Sequence, residues 1–498
     1  MKLIFQGHDY RYAVEQSLLA FFPQERPVYE VEDPNVAQVR LTAGKTYHTA
    51  VTELTVDGHS ARGLSRLDVS GAADDYERER LLQRIVKLSF FKAARELTGR
   101  TPAWGALTGI RPAKLAESLL TEGLSPKGAD RVLRDTYFVA PARRRLAIEC
   151  AQAGIAAKED LLPEDISLYV GIPFCPTRCA YCSFVSNSVE KNFHLVEPYL
   201  EALLAEVDSA AELVRDLGLR IKSFYMGGGT PTTLSAGQLD RLLARCQAAL
   251  PLDRCQEYTV EAGRPDTITR EKLEVLRDRG VERVSINPQT LEDPVLAAIG
   301  RRHTARDILD AYALARQVGF ACVNMDLIAG LPRDSFAGFR RSLEGVLDLG
   351  PENVTVHTLA LKKGSRLMDG SGEDLADALP GGEETVEMLD FSRVELTRRG
   401  YAPYYLYRQK YMSGSLENVG WARPGTESLY NIVMMEELHS VLSLGAGGVT
   451  KLIDPASGQI LRLTNPKYPH DYLTARDKRA AQLGEMAAFF ARRGEGET

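Results

Sequence analysis

Hydrophobic and polar positions alternate regularly after Asp165, where short apolar runs rich in β-branched residues are separated by amphipathic helical patterns. This alternation is typical of repeated βα units that form a parallel sheet. The predicted strands are residues 167–172, 222–226, 257–261, 281–287, 321–328 and 353–359. Six units are too few to close a standard eight-stranded barrel, so we expect a partial (β/α)6 barrel with its site at the C-terminal strand ends.

The region before this core has a different pattern and is expected to form an N-terminal α+β domain, residues 1–165. The motif Pro163-Glu164-Asp165 is its predicted boundary. The predicted strands of this domain are 37–41 and 48–56, and its predicted helices are 75–96 and 111–120.

The barrel is expected to cover residues 166–370, and a C-terminal mixed α/β domain to cover 371–498. The segment 370–384 between them is rich in Gly, Asp and Glu, which is typical of a linker or loop. From residue 385 the pattern predicts a helix, a tyrosine-rich stretch and further mixed structure.

Charge and hydropathy disfavour two classes of partner. The chain has 61 Lys and Arg against 67 Asp and Glu, mixed along its 498 residues, for a net charge of −6. This balance does not indicate a basic surface that would bind nucleic acid. Arginines in 131–153 are interpreted as a solvated helix face in preference to a binding patch. The N-terminus turns polar too soon for a signal peptide, and no apolar run approaches the ~20 residues that span a bilayer. We therefore expect a cytoplasmic protein without membrane insertion.

Three cysteines, Cys175, Cys179 and Cys182, follow the first predicted strand at CxxxCxxC spacing. Three thiolates on one loop can hold three irons of a cubane cluster and leave the fourth iron open to an exogenous chelator. A structural zinc site needs a fourth ligand, and a disulfide framework fits poorly with seven sparse cysteines. The remaining cysteines are scattered singly and are interpreted as buried apolar side chains: Cys150, Cys246, Cys255 and Cys322.

Other polar groups follow the ends of successive predicted strands. The glycine turn, residues 227–229, allows the backbone to approach a ligand closely, although plain turn chemistry explains it equally well. Asp326 lies in an apolar run, where an unpaired carboxylate is costly to bury, so we expect it to face a ligand, a cation or a hydroxyl. The other strand-end candidates are Glu261, Asn287, Gln289 and His357.

The chain resembles the radical S-adenosylmethionine (SAM) enzymes of the oxygen-independent coproporphyrinogen III dehydrogenase family. The resemblance covers 166 to about 450, and the N-terminal motif 107–112 (LTGIRP) resembles the variant branch called Z-type. The motifs that carry it are 168–175 (LYVGIPFC) with the three cysteines, 227–231 (GGGTP), 300–303 (GRRH) and 324–332 (NMDLIAGLP).

The resemblance implies a radical SAM barrel with a [4Fe-4S] cluster on Cys175, Cys179 and Cys182, and SAM on its open iron. It implies that Tyr169, Glu261 and Arg301 are catalytic. The implied SAM contacts are Gly228, Gly229 and Thr230 for the methionine part, Glu261 and Arg301 for its polar groups, Gln289 and Asp326 for the ribose, Ile328 and Ala360 for the adenine, and Tyr169 and Tyr181 near SAM and the cluster.

The implied reaction converts two propionates of coproporphyrinogen III to vinyl groups in anaerobic haem synthesis, with a reduced flavodoxin or ferredoxin-type protein as electron donor. Cationic rim candidates for this tetrapyrrole are Lys362, Lys363, Arg366 and Arg408, and aromatic candidates are Tyr404, Tyr405, Tyr407 and Tyr411, although packing is the commoner role of such tyrosines.

Two positions depart from the dehydrogenase pattern. Phe184 stands where typical members have a further cysteine, and Gly171 stands where they have a histidine. Members that bind haem also lack that cysteine, and the stretch 442–451 (LSLGAGGVTK) resembles both branches. A haem chaperone, with an axial ligand such as His357 or His439, therefore stays open, as does another radical reaction on a tetrapyrrole.

Overall fold

Two mixed sheets organise the chain, and each belongs to a separate compact unit. The computed structural model describes residues 1–182, 187–188, 192–361, 365–368, 373–408, 416–455 and 457–495. The first unit is Met1–Ile148 with Gly414–Leu416, and the second is Glu149–Ser413 with Glu417–Thr498.

The first unit contains a four-stranded sheet in the order β1-β2-β3-β4, with β1 parallel to β2 and the other pairs antiparallel. Helices α1 and α2 cover one face, and Leu18, Phe90 and Phe91 are buried there with Val39 and Leu54 from the strands. The strands are β1 (Lys2–Gln6), β2 (Val36–Ala43), β3 (Tyr47–Val56) and β4 (His59–Asp68). The helices that begin here are α1 (Arg11–Phe21), α2 (Asp75–Thr98), α3 (Pro112–Thr121), α4 (Pro126–Asp135) and α5 (Pro141–Glu159).

The predicted strands and helices of this unit are confirmed, but the sequence analysis missed β1 and β4. In β4 only Gly63 and Ser65 are buried, so the strand shows no apolar alternation. A Cβ at Gly63 would lie 1.9 Å from the carbonyl oxygen of Ser89, so only glycine allows α2 to pack this closely.

The second unit contains an eleven-stranded sheet in the order β13-β14-β12-β11-β10-β9-β8-β5-β15-β16-β17. Six neighbouring strands, β5 and β8 to β12, are parallel and lie in chain order, which confirms the predicted partial (β/α)6 barrel. The eleven strands of this sheet are β5 (Asp165–Ile172), β8 (Arg220–Gly228), β9 (Glu257–Gly263), β10 (Arg283–Ile286), β11 (Cys322–Ala329), β12 (Asn353–Thr358), β13 (Ala402–Arg408), β14 (Glu417–Ala422), β15 (Val441–Leu444), β16 (Val449–Ile453) and β17 (Ile460–Thr464). Two short strands, β6 (Phe174–Cys175) and β7 (Asn187–Ser188), pair in parallel outside it.

Helices connect these strands and cover the sheet. Among the described residues, no helix is long and apolar enough to cross a membrane. The helices are α6 (Val196–Asp216), α7 (Ala236–Ala249), α8 (Arg270–Asp278), α9 (Asp293–Ala298), α10 (Ala305–Val318), α11 (Phe336–Leu349), α12 (Glu373–Ala376), α13 (Gly382–Arg398), α14 (Leu429–Glu436), α15 (Pro469–Thr474) and α16 (Arg476–Glu495).

The predicted linker 370–384 is wrong in part, because α12 lies within it and α13 already begins at Gly382. Glu383 and Glu384 occupy the first turn of α13, where acidic side chains favour a helix through its dipole. The acidic composition that suggested a loop therefore marks a helix start.

Strands that follow the barrel extend both edges of its sheet. On one edge β14 pairs antiparallel with β12 and with β13, and on the other β15 pairs parallel with β5. The proposed division into domains at residues 165 and 370 stays a prediction.

Candidate functional site

The cysteine loop, residues 173–182, leaves the sheet directly after β5. Cys175 and Cys179 are buried, Cys182 is half-buried, and none of the three is in a disulfide bond. The Cys175 sulfur lies 3.4 Å from the Thr230 hydroxyl, so the loop reaches the residue that follows the glycine turn. The first strand and the second strand therefore deliver their motifs to one place.

Hydrogen bonds hold the cysteine loop against segments that follow β10 and β12 in the chain. The amide of Ala180 donates to the carbonyl oxygen of Ile299 at 2.9 Å, and the carbonyl of Ala180 accepts from the amide of Leu367 at 3.3 Å. The Thr177 hydroxyl donates to the carbonyl oxygen of Gly300 at 3.3 Å. The loop is thus fixed on both sides of Cys179.

The glycine turn packs directly on the backbone that leads into the cysteine loop. The Gly229 amide donates to the Ile172 carbonyl at 2.7 Å, and the Thr230 amide donates to the Phe174 carbonyl at 2.8 Å. A Cβ at Gly229 would lie 2.5 Å from the Phe174 oxygen, and Gly228 has a φ of +110°, so side chains are excluded at both positions. Close packing against the cysteine loop therefore requires glycine at Gly229, in addition to what the turn conformation requires at Gly228.

Glu261 lies near the end of β9 with its carboxylate against the glycine turn. The Tyr225 hydroxyl donates to Glu261 Oε1 at 2.6 Å, and a Cβ at Gly227 would lie 2.9 Å from the carboxyl carbon. The pKa of Glu261 is raised to about 7, because burial and the Asp326 charge raise it more than the hydrogen bonds from Tyr225 and the Gly228 amide lower it. The carboxyl therefore changes charge near neutral pH.

Arg301 is buried between the cysteine loop and the end of β10. Its Nη1 donates to the Asn287 carbonyl oxygen at 2.7 Å, and its Nη2 donates to the Tyr181 hydroxyl at 3.4 Å. Burial alone would lower the pKa of Arg301, but Tyr181 and Cys179 raise it above its ordinary value. In the described part of the chain, Arg301 Nε and Asn287 Oδ1 are buried without a hydrogen-bond partner. A buried donor on Arg301, which interacts with Cys179, and a buried acceptor on the neighbouring Asn287 fit a polar ligand.

Gln289 and Asp326 form a paired element at the ends of β10 and β11. Gln289 has a φ of +70°, a strained value for a residue other than glycine. Its backbone forms a β-bridge with Leu327, with hydrogen bonds to the residues on either side of that leucine. Its amide donates to the Asp326 carbonyl at 2.8 Å, and its carbonyl accepts from the Ile328 amide at 2.9 Å. Burial would raise the pKa of Asp326, but His357 at 3.7 Å and Asn324 at 2.8 Å hold it below the ordinary value. Asp326 is therefore an ionised acceptor.

The remaining predicted SAM contacts lie around these groups. Ile328 is buried in an apolar cluster with Ala180 and Leu359, and Ala360 follows β12 half-buried. The Tyr169 ring lies parallel to the Tyr225 ring at 6.4 Å. The structure thus brings the predicted strand-end residues to the C-terminal end of one sheet; their individual roles stay predictions.

A sequence profile of the radical SAM superfamily matches residues 169–344. The chain is 36% identical over 455 residues to the oxygen-independent coproporphyrinogen-III oxidase-like protein HemZ of Bacillus subtilis, covering 91% of this chain and 90% of that protein. The chain belongs to this family of radical SAM proteins.

Two further similarities mark the breadth of the radical SAM family. The heme chaperone HemW of Lactococcus lactis is 31% identical over 317 residues, covering 63% of this chain and 76% of that protein. The solved structure of coproporphyrinogen III oxidase HemN from Escherichia coli superposes with a TM-score of 0.52 at 24% identity, covering 66% of this chain and 72% of that one. The latter likeness supports the fold.

As a radical SAM protein, the chain uses a [4Fe-4S] cluster and SAM. Among the residues described, no three His, Cys, Asp or Glu side chains already stand close enough to hold a metal ion. The site nevertheless fits both groups in its chemistry. It has three thiols outside any disulfide on one fixed loop, a glycine turn without side chains, and unsatisfied atoms on Arg301 and Asn287.

The structure contradicts part of the predicted tyrosine wall for the tetrapyrrole. A register shift between Pro403 and Tyr405 marks a bulge in β13. Both Tyr404 and Tyr405 are buried, and a Cβ at Gly420 would lie 1.9 Å from the Tyr405 ring. They are packing residues and do not form an open wall, whereas Tyr407 is half-buried.

The predicted cationic rim is only partly described. Arg408 is 8% exposed, and burial lowers its pKa to about 10, so it is not a rim residue. Arg366 is exposed, and its Nη2 donates to the Arg178 carbonyl of the cysteine loop at 3.4 Å. Lys362, Lys363, Tyr411 and Phe184 lie outside the described residues.

Three further residues, which the sequence pattern does not predict, hold this radical SAM site together: Tyr225, Arg264 and Tyr430. Tyr225 lies two positions before Gly227 on β8, so strand periodicity places it on the same face as the glycine. That spacing was the available signal. Arg264 follows β9, and Tyr430 reaches the site from α14, and no local pattern distinguishes either one.

Proposed function

We propose that the protein is a radical SAM oxidoreductase that decarboxylates two propionates of coproporphyrinogen III to vinyl groups, giving protoporphyrinogen IX. The observation that carries the proposal is the meeting of the cysteine loop with the glycine turn, through Cys175 and Thr230, beside Glu261 and Arg301. The similarity to HemZ over 91% of the chain supports the substrate class.

Cys175, Cys179 and Cys182 would hold the cluster. When bound, the cluster and SAM supply a 5′-deoxyadenosyl radical that takes a hydrogen atom from the substrate. The chain's own contribution is to bind and orient. Ionised Glu261 would accept the ammonium group of SAM, and buried Arg301 would pair with its carboxylate, because opposite charges in a water-poor site attract strongly.

The ribose and adenine of SAM would lie further along the strand ends. Asp326, fixed by Asn324 and His357, would accept hydrogen bonds from the ribose hydroxyls, as would Gln289. Ile328 and Ala360 would pack against the adenine. Tyr169 and Tyr181 would close the site around SAM and the cluster.

The proposed partners follow from this chemistry. Each turnover needs an electron, so a reduced flavodoxin or ferredoxin-type protein is the expected donor. Seven thiols without a disulfide framework favour a reducing cytoplasm as the place of action. The balance of 61 basic and 67 acidic residues argues against a nucleic-acid substrate.

An anaerobic assay tests the proposal. The cluster is reconstituted, dithionite, SAM and coproporphyrinogen III are added, and 5′-deoxyadenosine and tetrapyrrole masses are followed by chromatography and mass spectrometry. We expect two losses of carbon dioxide plus two hydrogens, coupled to deoxyadenosine. The Cys179→Ala variant is the control and should lose both the cluster absorbance and SAM cleavage. Retained cleavage in that variant would contradict the cluster assignment.

A haem chaperone is the second candidate function. It is favoured by the similarity to HemW and by Phe184, which replaces a cysteine of typical dehydrogenases. Titration with haem, followed by transfer to an acceptor protein, tests this function. Stable haem binding with deoxyadenosine formation but unchanged coproporphyrinogen would favour the chaperone over the oxidoreductase.

A further inference from the structure

Glu261 is held by a partner that the family resemblance does not supply. The Tyr225 hydroxyl donates to Glu261 Oε1 at 2.6 Å, a short bond of the kind made to a carboxylate. On the other side the carboxyl group is pressed against the Gly227 backbone, where no side chain fits. Tyr225 and the glycine turn together leave Glu261 one orientation.

Tyr225 is itself fixed by a stack of aromatic rings. Its ring lies 4.4 Å from that of Tyr430 with 17° between their planes, and Tyr169 lies parallel to both at 6.4 and 6.3 Å. Offset parallel stacking of this kind adds rigidity and modest energy to the burial of each ring. The Tyr225 hydroxyl therefore has a defined position before any ligand arrives.

The stack is anchored at its far end through α14. Tyr430 lies in the first turn of that helix, where Glu257 accepts hydrogen bonds from the Ser428 hydroxyl at 2.9 Å and from the Leu429 amide at 2.5 Å. Glu257 begins β9, the strand that carries Glu261. The helix start and the SAM-site carboxylate are thus tied to the same strand.

We propose that Tyr225 is a positioning residue for Glu261, which fixes the carboxylate, in its ionised form, toward the glycine turn where it receives the ammonium group of SAM. The inference rests on the proposed function, because it takes Glu261 as a SAM contact. Tyr225 acts through Glu261 and does not itself touch the reacting atoms.

The pH dependence of SAM binding reports on this role. The groups that face Glu261 are the Tyr225 hydroxyl and the Gly228 amide from β8, Asp326 from β11, His357 from β12, Tyr169 from β5 and Tyr430 from α14. Of these, the Tyr225 hydrogen bond favours the ionised carboxyl, so its removal shifts the titration of Glu261 upward.

The experiment measures SAM binding by anaerobic calorimetry on the cluster-reconstituted protein, without reductant, between pH 6 and pH 9. The variants are Tyr225→Phe, Glu261→Gln and the double variant. The matched control is Tyr258→Phe, because Tyr258 is a buried tyrosine whose hydroxyl has no hydrogen-bond partner among the described residues. Tyr225→Phe removes one oxygen and no ring, so the packing is preserved. Cluster absorbance confirms that each variant is loaded.

We expect Tyr225→Phe to weaken SAM binding about tenfold near pH 7, as the loss of a charge-assisted hydrogen bond predicts. The loss should shrink toward pH 9, where Glu261 is ionised in both proteins, and it should vanish in the Glu261→Gln background. Tyr258→Phe should bind SAM as the unaltered protein does.

A Tyr225→Phe protein with unchanged affinity and pH profile would overturn the proposal. A uniform loss at every pH that persists in the Glu261→Gln background would also overturn it, because it would indicate packing alone. If the unaltered protein binds no SAM, the proposed function itself fails.

Discussion

Arg264 Nη1 donates to both the carbonyl oxygen and the hydroxyl of Thr177, at 3.1 and 2.8 Å, and so links β9 to the cysteine loop. The guanidinium is 3% exposed, and its remaining donors form a two-point pair with Asp266 at 2.9 and 2.7 Å. A planar fork can make all these bonds at once, which a lysine ammonium cannot.

We therefore expect Arg264→Lys to loosen the cysteine loop and to shorten the lifetime of the bound iron–sulfur cluster several-fold. Decay of the cluster absorbance in the presence of a chelator measures this. Arg270→Lys, an exposed change on α8, is the control. Equal decay rates for Arg264→Lys and the unaltered protein would show that the link is dispensable.

Two neighbouring glycines should fail in different ways when alanine replaces them. A Cβ at Gly229 would meet the Phe174 oxygen at 2.5 Å, so Gly229→Ala should displace the start of the cysteine loop and reduce the iron bound after reconstitution. A Cβ at Gly227 would meet the Glu261 carboxyl at 2.9 Å, so Gly227→Ala should keep the iron but weaken SAM binding.

Iron content and SAM calorimetry on the two variants separate these outcomes. Gly237→Ala on α7 is the control, since nothing lies within 4 Å of its Cβ. Identical losses in the two glycine variants would contradict separate roles for the two positions.

The barrel was predictable because its strands are buried on both faces and their apolar runs are separated by clear helical patterns. Both ends of all six predicted strands lie within two residues of the observed ends. The location of the candidate site was predictable as well, because parallel strands bring their C-terminal ends together at the same end of the sheet. What the pattern cannot encode is packing between distant segments.

Tyr404 and Tyr405 illustrate that limit. Strand periodicity places consecutive residues on opposite faces, but the bulge in β13 and the missing side chain of Gly420 allow both rings to be buried in one cluster. Arg264 is a second case, because its partner Thr177 lies 87 positions away in the sequence. Only the folded chain reveals such pairs.

Asp326→Ala should weaken SAM binding about tenfold and leave the cluster in place. His357 and Asn324 hold the pKa of this carboxylate below its ordinary value. Its strand, β11, is separated in the sheet from β5, which leads into the cysteine loop, by β10, β9 and β8. Its loss would remove the proposed acceptor for the ribose, and we expect the cysteine loop to stay in place. Calorimetry for SAM and absorbance for the cluster check the two halves of the prediction. Unchanged SAM affinity would count against Asp326 as a ligand contact.

Glu261 should make the stability of the SAM-free protein depend on pH. Burial raises its pKa from 4.5 to about 7 in the folded chain. As the pH rises from 4.5 toward 7, the unfolded chain releases this proton before the folded chain does, so Glu261 costs stability over that window and throughout the range above it.

Glu261→Gln removes this cost while its carbonyl oxygen can still accept the Tyr225 hydrogen bond. We expect the variant to unfold at the same temperature as the unaltered protein near pH 4.5, and a few degrees higher at pH 8. Thermal unfolding without SAM, followed at several pH values, measures the gap, and Glu271→Gln on the exposed side of α8 is the control. A gap that is the same at every pH would mean that Glu261 titrates as an ordinary carboxylate.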